Sequence, residues 1–134
     1  MKPCLLDTDI LSEFLRGNPE VVSKTNEYLI KYGHISFSVI TYYEILNGLL
    51  YKDARKQLKH FIAFSELNKV LPLTTKSAKL SANIQAELRK KGTVIGHTDT
   101  LIAGIAIAGK LQLITNNVKH FKRVKNLDVS NWKK

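Results

Sequence analysis

Cysteine is almost missing from this chain: Cys4 is the single one in 134 residues. No internal disulfide can form, which excludes the small disulfide-framed secreted domains. Set in the apolar run Pro3-Cys4-Leu5-Leu6, it reads as a small buried hydrophobe. Long apolar stretches are missing too. A membrane helix needs roughly 18 such residues, and the longest candidate, Leu101 to Ala108, is short and carries Gly104 inside it. After Met1-Lys2 the chain reaches Asp7 before any apolar run of signal-peptide length, so the expectation is a cytoplasmic protein without a membrane span. Carboxylates are scarce, with 11 Asp and Glu against 21 Lys and Arg. The resulting net charge of +10 attracts polyanions, nucleic acid foremost, although an anionic membrane face or an acidic partner would satisfy the same electrostatics. Linkers, low-complexity tracts and repeats are absent. The length suits one domain, residues 1–134, that can bury roughly two-thirds of its unfolded surface.

What is present is an alternation of short apolar runs with helical segments. Lys2 to Leu6 reads as a strand ending at Asp7, and Thr8 can cap a helix to Arg16 that Gly17 stops. Pro19 opens a second helix to about Lys31. His34 to Val39 is β-rich, and Thr41 starts a helix carrying Tyr42, Ile45, Leu46, Leu49 and Leu50. Ala54 to Glu66 is a further helix, and Lys69 to Leu73 a strand. Between Lys76 and Lys91 the apolar residues alternate as in a strand. Ala, Leu, Lys, Glu and Gln dominate, however, and Leu80, Ile84 and Leu88 recur at i, i+4, so we read a helix. Thr98 to Ala108 is apolar nearly all round, hence a central buried helix. Leu111 to Thr115 and Leu127 to Val129 complete the strands, with a helical turn at Val118 to Lys122. The pattern implies an α/β fold with a mostly parallel sheet covered on both faces. Ligands bind such sheets beyond the carboxyl ends of their strands.

Three carboxylates interrupt apolar surroundings near those ends: Asp7 in CLLDTDIL, Glu44 in TYYEILNGLL and Asp99 in HTDTLIAGIAIA. Buried carboxylates are costly unless paired or bound to metal, and hard oxygen donors without a His/Cys cluster select Mg²⁺ or Mn²⁺. Each acid also has a purely structural explanation. Glu44 completes a capping box with Thr41, Asp99 stands in a first turn behind a capping Thr98, and Asp7 can cap the first helix in place of Thr8. Asp9 and Glu13 are expected to face solvent. Thr8, Ser12, Thr41, Thr115, Asn116 and Asn117 place hydroxyls and amides near the same ends, as helix caps or as supports for carboxylates and water. His34, His60, His97 and His120 lack zinc-protease spacing.

LLDTDILSEFL at 5–15, SVITYYEILNGL at 38–49 and HTDTLIAGIAIAGKLQLITNNVKHFKRVKNLDVSNW at 97–132 together resemble the ordered motifs of PIN-domain toxins of the VapC family. The resemblance runs nearly end to end. It implies a PIN-like fold and a Mg²⁺- or Mn²⁺-dependent endoribonuclease, with Asp7, Glu44 and Asp99 as catalytic and metal-binding acids. Thr8, Ser12, Thr41 and Thr115 would support them. In the tail pattern Thr115, Asn117 and Phe121 match, but the position of a fourth acid holds His120, leaving the metal count open, with Asn117 able to contribute an amide oxygen. It further implies an RNA substrate, a VapB-type antitoxin and a homodimer. Tyr28, Tyr32, Tyr42, Tyr43, Tyr51, Phe61 and Phe64 fit either an interface or a core. Two other readings stand beside this one. A non-catalytic PIN-like RNA- or partner-binding module accords with His120. A haloacid dehalogenase-like phosphatase accords with Asp7-Thr8-Asp9, while chain length and the missing later acids count against it.

Overall fold

The computed structural model describes residues 1–133; Lys134, the last residue of the expected domain, lies outside them. The elements are β1 (Cys4–Leu6), α1 (Thr8–Leu15), α2 (Pro19–Tyr32), β2 (Ser36–Ser38), α3 (Val39–Tyr51), α4 (Arg55–Glu66), β3 (Lys69–Leu71), α5 (Thr75–Lys90), α6 (His97–Ala108), β4 (Gln112–Ile114), α7 (Val118–Phe121) and β5 (Val129–Ser130). Strands β1, β4 and β5 form one parallel ladder in that spatial order, with Leu5 opposite Leu113 and Leu113 opposite Val129. A second parallel ladder joins β2 to β3, and β2 lies beside β1.

Strand alternation divides the core. Cys4, Leu6 and Ile114 join Ile10, Leu11, Val21, Tyr28, Ile45 and Phe61, which come from α1 to α4. Leu5 and Leu113 point the other way, into Leu88, Ile102, Ala103, Ile105, Ala106 and Phe121 of α5 to α7. Helices therefore cover both faces of the sheet, as the alternation implies. All three residues of β1 are buried, the pattern of a parallel strand with two covered faces.

The segment 76–91, whose alternation mimics a strand, is the helix α5. Thr74 caps it, accepting from the Ser77 amide while Ser77 Oγ accepts from the Thr74 amide. Against it lies α6, at a separation only glycine permits: a Cβ on Gly104 would stand 2.5 Å from the Ser77 carbonyl. This close packing fixes the helix that carries Asp99.

Several boundaries differ from the sequence reading. The strand expected over 34–39 shrinks to Ser36–Ser38, and α3 begins at Val39 rather than Thr41, because Ser38 is the cap and accepts from the Thr41 amide. Glu44 thus falls in the second helical turn and makes no capping box. Likewise α6 begins at His97 behind Gly96, so Thr98 lies inside the helix and is not its cap. The last strand, expected over Leu127 to Val129, starts two residues later and ends one later, at Val129–Ser130. The aromatic set is mostly core: Tyr28 and Phe61 are buried, Tyr32, Tyr42 and Phe64 partly so, and Tyr43 and Tyr51 are exposed. Among the described residues no helix is long and apolar enough to cross a membrane.

Candidate active site

Asp7 follows β1 directly and Thr115 follows β4 directly, so the parallel pairing of these strands brings the two together. Thr115 Oγ1 donates to Asp7 Oδ2 at 2.8 Å, in a buried contact between residues 108 apart in sequence. Asp7 is also the N-cap of α1, its Oδ1 accepting from the Thr8 amide at 2.9 Å. Of the two capping residues the sequence offers, Asp7 takes the role and Thr8 is freed for another.

Asp9 does not face solvent, as expected from sequence, because the first turn of α1 folds back over the end of β4. Its Oδ2 accepts from the Asn116 amide at 3.0 Å, while Oδ1 is buried with no aligned hydrogen-bond donor. Asp7, Asp9 and Asp99 lie close enough to feel one another's charge. Burial, then the charge of Asp9 and to a lesser degree Asp99, pushes the Asp7 carboxyl up to about 7 against the pull of the Thr115 hydroxyl and Thr8 amide. Burial and the Asp99 charge likewise raise Asp9, tempered by the amides of Asn116 and Ile10 and by the Thr115 hydroxyl. No lysine or arginine among the described residues pairs with any of the three.

Glu44 joins this end by a different route. Its Oε1 accepts from Thr8 Oγ1 at 2.6 Å, and Thr8 Oγ1 lies 2.9 Å from Thr41 Oγ1. A hydroxyl has one proton to give, so with Thr8 committed to Glu44 the Thr41 hydroxyl donates to Thr8. Ser38 Oγ in turn donates to Thr41 Oγ1 at 3.4 Å. The chain Ser38, Thr41, Thr8, Glu44 therefore runs one way and ends on the carboxylate. Glu44, Thr8 and Ser12 also line a groove of about 630 Å³ between α1, α3 and α4, floored by Phe61 and rimmed by Lys52 and His60.

Asp99 reaches the site from the first turn of α6, and His120 of α7 faces it. His120 Nε2 is 3.0 Å from Asp99 Oδ2, off the line a hydrogen bond needs, so this buried nitrogen has no aligned partner. Arg123 Nη2 stands 2.6 Å from His120 Nδ1. Guanidinium can only donate, so Nδ1 accepts and the ring proton resides on Nε2, towards Asp99. Asn117 contributes its backbone amide to Thr115 Oγ1 at 3.0 Å, and its exposed side chain makes no hydrogen bond among the described residues. Glu13, also expected at the surface, is half-buried between Arg16 and Lys133.

Of the expected residues, then, Asp7 and Thr115 are in direct contact, Asp99 acts on Asp7 through its charge, and no three acids or histidines among the described residues stand close enough together to hold a metal ion. Thr8 and Thr41 connect Glu44 to Asp7, Ser12 lies in the adjoining groove, and Asn117 only braces. Asp9 and Arg123 are additions. Nothing local marked Asp9, because residues two apart on a helix do not face each other and its partner, the Asn116 amide, is distant in sequence.

The PIN domain family matches residues 4–127 of the chain. Ribonuclease VapC2 of Rickettsia felis is 35% identical over 132 residues, 97% of this chain and 98% of the relative. The tRNA(fMet)-specific endonuclease VapC of Salmonella typhimurium is 29% identical over 129 residues, 96% of each. Among solved structures, a chain of the Rickettsia felis VapBC2 complex bound to a promoter DNA fragment superposes with a TM-score of 0.84 at 31% identity, covering 96% of this chain and 97% of that one. A chain of the DNA-bound Salmonella typhimurium VapBC gives 0.86 at 28% identity, covering 98% and 99%. The phosphatase reading of Asp7-Thr8-Asp9 has no place in this lineage. Matched by the PIN domain family over residues 4–127 and by VapC ribonucleases along nearly its whole length, this protein belongs to the PIN-domain family and, within it, to the VapC ribonuclease toxins.

Proposed function

We propose that this chain is a Mg²⁺-dependent (or Mn²⁺-dependent) endoribonuclease that hydrolyses RNA phosphodiester bonds and serves as the toxin of a toxin–antitoxin pair in the cytoplasm. The observation that carries the reading is that the charges of Asp9 and Asp99 act on Asp7, and that of Asp99 on Asp9, with no lysine or arginine among the described residues to offset them. A divalent cation is the simplest counter-charge for such a group, and the buried Asp9 Oδ1, which has no aligned donor, is an oxygen suited to one. Among the described residues no three acids or histidines already stand at closed ligand spacing, so Asp7, Asp99 and Glu44 would be drawn in as the ion is held. When bound, the ion supplies an activated water near neutral pH and offsets charge on the phosphate under attack.

The protein's own groups supply order. Thr115 and the Thr8 amide fix the two oxygens of Asp7, and the hydroxyl chain through Thr41 and Thr8 aims Glu44. Lysines and arginines, in excess by ten charges, would follow the RNA backbone and give affinity that falls with added salt. The groove between α1, α3 and α4 opens beside Glu44, a place where a VapB-type antitoxin segment would block access, and exposed Tyr43, Leu50 and Tyr51 on α3 offer apolar contact for a homodimer. His120 in the fourth-acid position favours a second reading, a non-catalytic RNA- or partner-binding module. Incubation of purified protein with RNA separates the two. The nuclease reading expects cleavage with Mg²⁺ that disappears in EDTA and in Asp7→Asn or Asp99→Asn. Undiminished cleavage in EDTA contradicts the metal role, and no cleavage under any condition favours the binding module.

A further inference from the structure

The resemblance expects a fourth acid at position 120, where this chain has histidine. Arg123 holds that imidazole with its proton on Nε2, facing Asp99, so position 120 brings a donor where an oxygen ligand would be needed. Asp9 has the complementary profile. Its Oδ2 is anchored to the corner after β4 by the Asn116 amide and lies 3.4 Å from the same Thr115 hydroxyl that holds Asp7, while Oδ1 is buried and lacks an aligned donor. A brace for that corner requires only one oxygen. Leaving the other buried and unpaired costs free energy unless something occupies the position it faces.

We propose that Asp9 supplies the fourth carboxylate of this site, its Oδ1 acting as an oxygen ligand to the divalent cation in place of the acid missing at position 120. The inference rests on the metal-dependent reading and adds a ligand to it. Asp9→Asn is the informative change, because the amide oxygen still accepts from Asn116 while the charged ligand is lost.

The test uses the full chain, stripped with EDTA and titrated with Mn²⁺ by calorimetry, as wild type, Asp9→Asn and Asp99→Asn. Asp9→Asn is expected to weaken Mn²⁺ binding by about 10-fold or more, while melting no lower than wild type in EDTA. Loss of charge alone also weakens binding, so Asp9→Cys is titrated with Cd²⁺. A thiolate in direct contact gives the ultraviolet cadmium–thiolate band and a preference for Cd²⁺ over Mn²⁺. Wild type provides the background, since its one thiol, Cys4, is buried. Unchanged Mn²⁺ affinity in Asp9→Asn beside a loss in Asp99→Asn, or a folded Asp9→Cys without the band, overturns the assignment and leaves the metal reading standing. Wild type that takes up no Mn²⁺ brings down both.

Discussion

Asp7 and Glu44 sit beyond the ends of neighbouring strands, yet their surroundings are opposite. Glu44 receives a hydroxyl proton delivered through a directed chain of three side chains. Asp7 is buried to 7% exposure, and two further carboxylates act on it. One half of the site is satisfied and the other is frustrated. Groups held in an unfavourable charge state are where a protein stores the capacity to bind or react, whereas satisfied groups supply geometry. On the proposed reading the cation would sit against Asp7, Asp9 and Asp99, with Thr8 and Thr41 aiming Glu44 towards it.

The largest effects should come from substituting within each half. Asp7→Asn is expected to remove RNA cleavage altogether. Thr8→Val, which leaves Glu44 without its donor, should lower it by roughly 10–100-fold, the range for outer-sphere supports of a metal site. Equal losses from the two changes in a cleavage assay would erase the distinction between the halves. A change that touches no carboxylate of either half should separate stability from chemistry. Gly104→Ala forces a methyl against the Ser77 carbonyl and is expected to cost up to roughly 3 kcal/mol in denaturant melts, with cleavage per folded molecule nearly unchanged. Loss of cleavage without loss of stability would mean that the α5–α6 packing steers Asp99 directly.

A smaller effect follows from pH. The Asp7 carboxyl is raised in the folded state, from 3.8 to about 7, so between those values the native protein holds a proton that the unfolded chain has released. Stability contributed by that protonation is present at low pH and is lost as pH rises towards and through 7. Metal-free protein should therefore lose about 2 kcal/mol between pH 5 and pH 8, and Asp7→Asn should flatten the slope. Glu13 and Asp128, both lowered by lysine partners, act in the opposite direction but only at more acidic pH. Urea melts at the two pH values decide it, and a rise in stability towards pH 8 would contradict the burial of Asp7.

Much of the architecture could be read from the chain alone, because its signals are local. Apolar runs alternate with helical segments, and the composition of 76–91 outweighed a pattern that mimics a strand. Asp7, Glu44 and Asp99 stood out for the same reason, as charges interrupting apolar stretches. What the chain concealed is long-range. Ser38 and Thr41 are both competent caps, and only the finished structure selects Ser38 and releases Thr41 to Thr8, 33 residues away. Asp9 resembles any surface acid until Asn116, 107 residues later, folds against it. The pairing of His120 with Arg123 is local, whereas its approach to Asp99 depends on how α6 and α7 meet.

The most direct test compares melting temperatures of wild type and Asp7→Asn at pH 8, first in EDTA and then with excess Mn²⁺. Relief of like-charge repulsion should make the variant the more stable protein in EDTA, and cation binding should make wild type the more stable one in Mn²⁺. The same ranking in both conditions, or no response of wild type to Mn²⁺, would contradict a cation shared by these carboxylates.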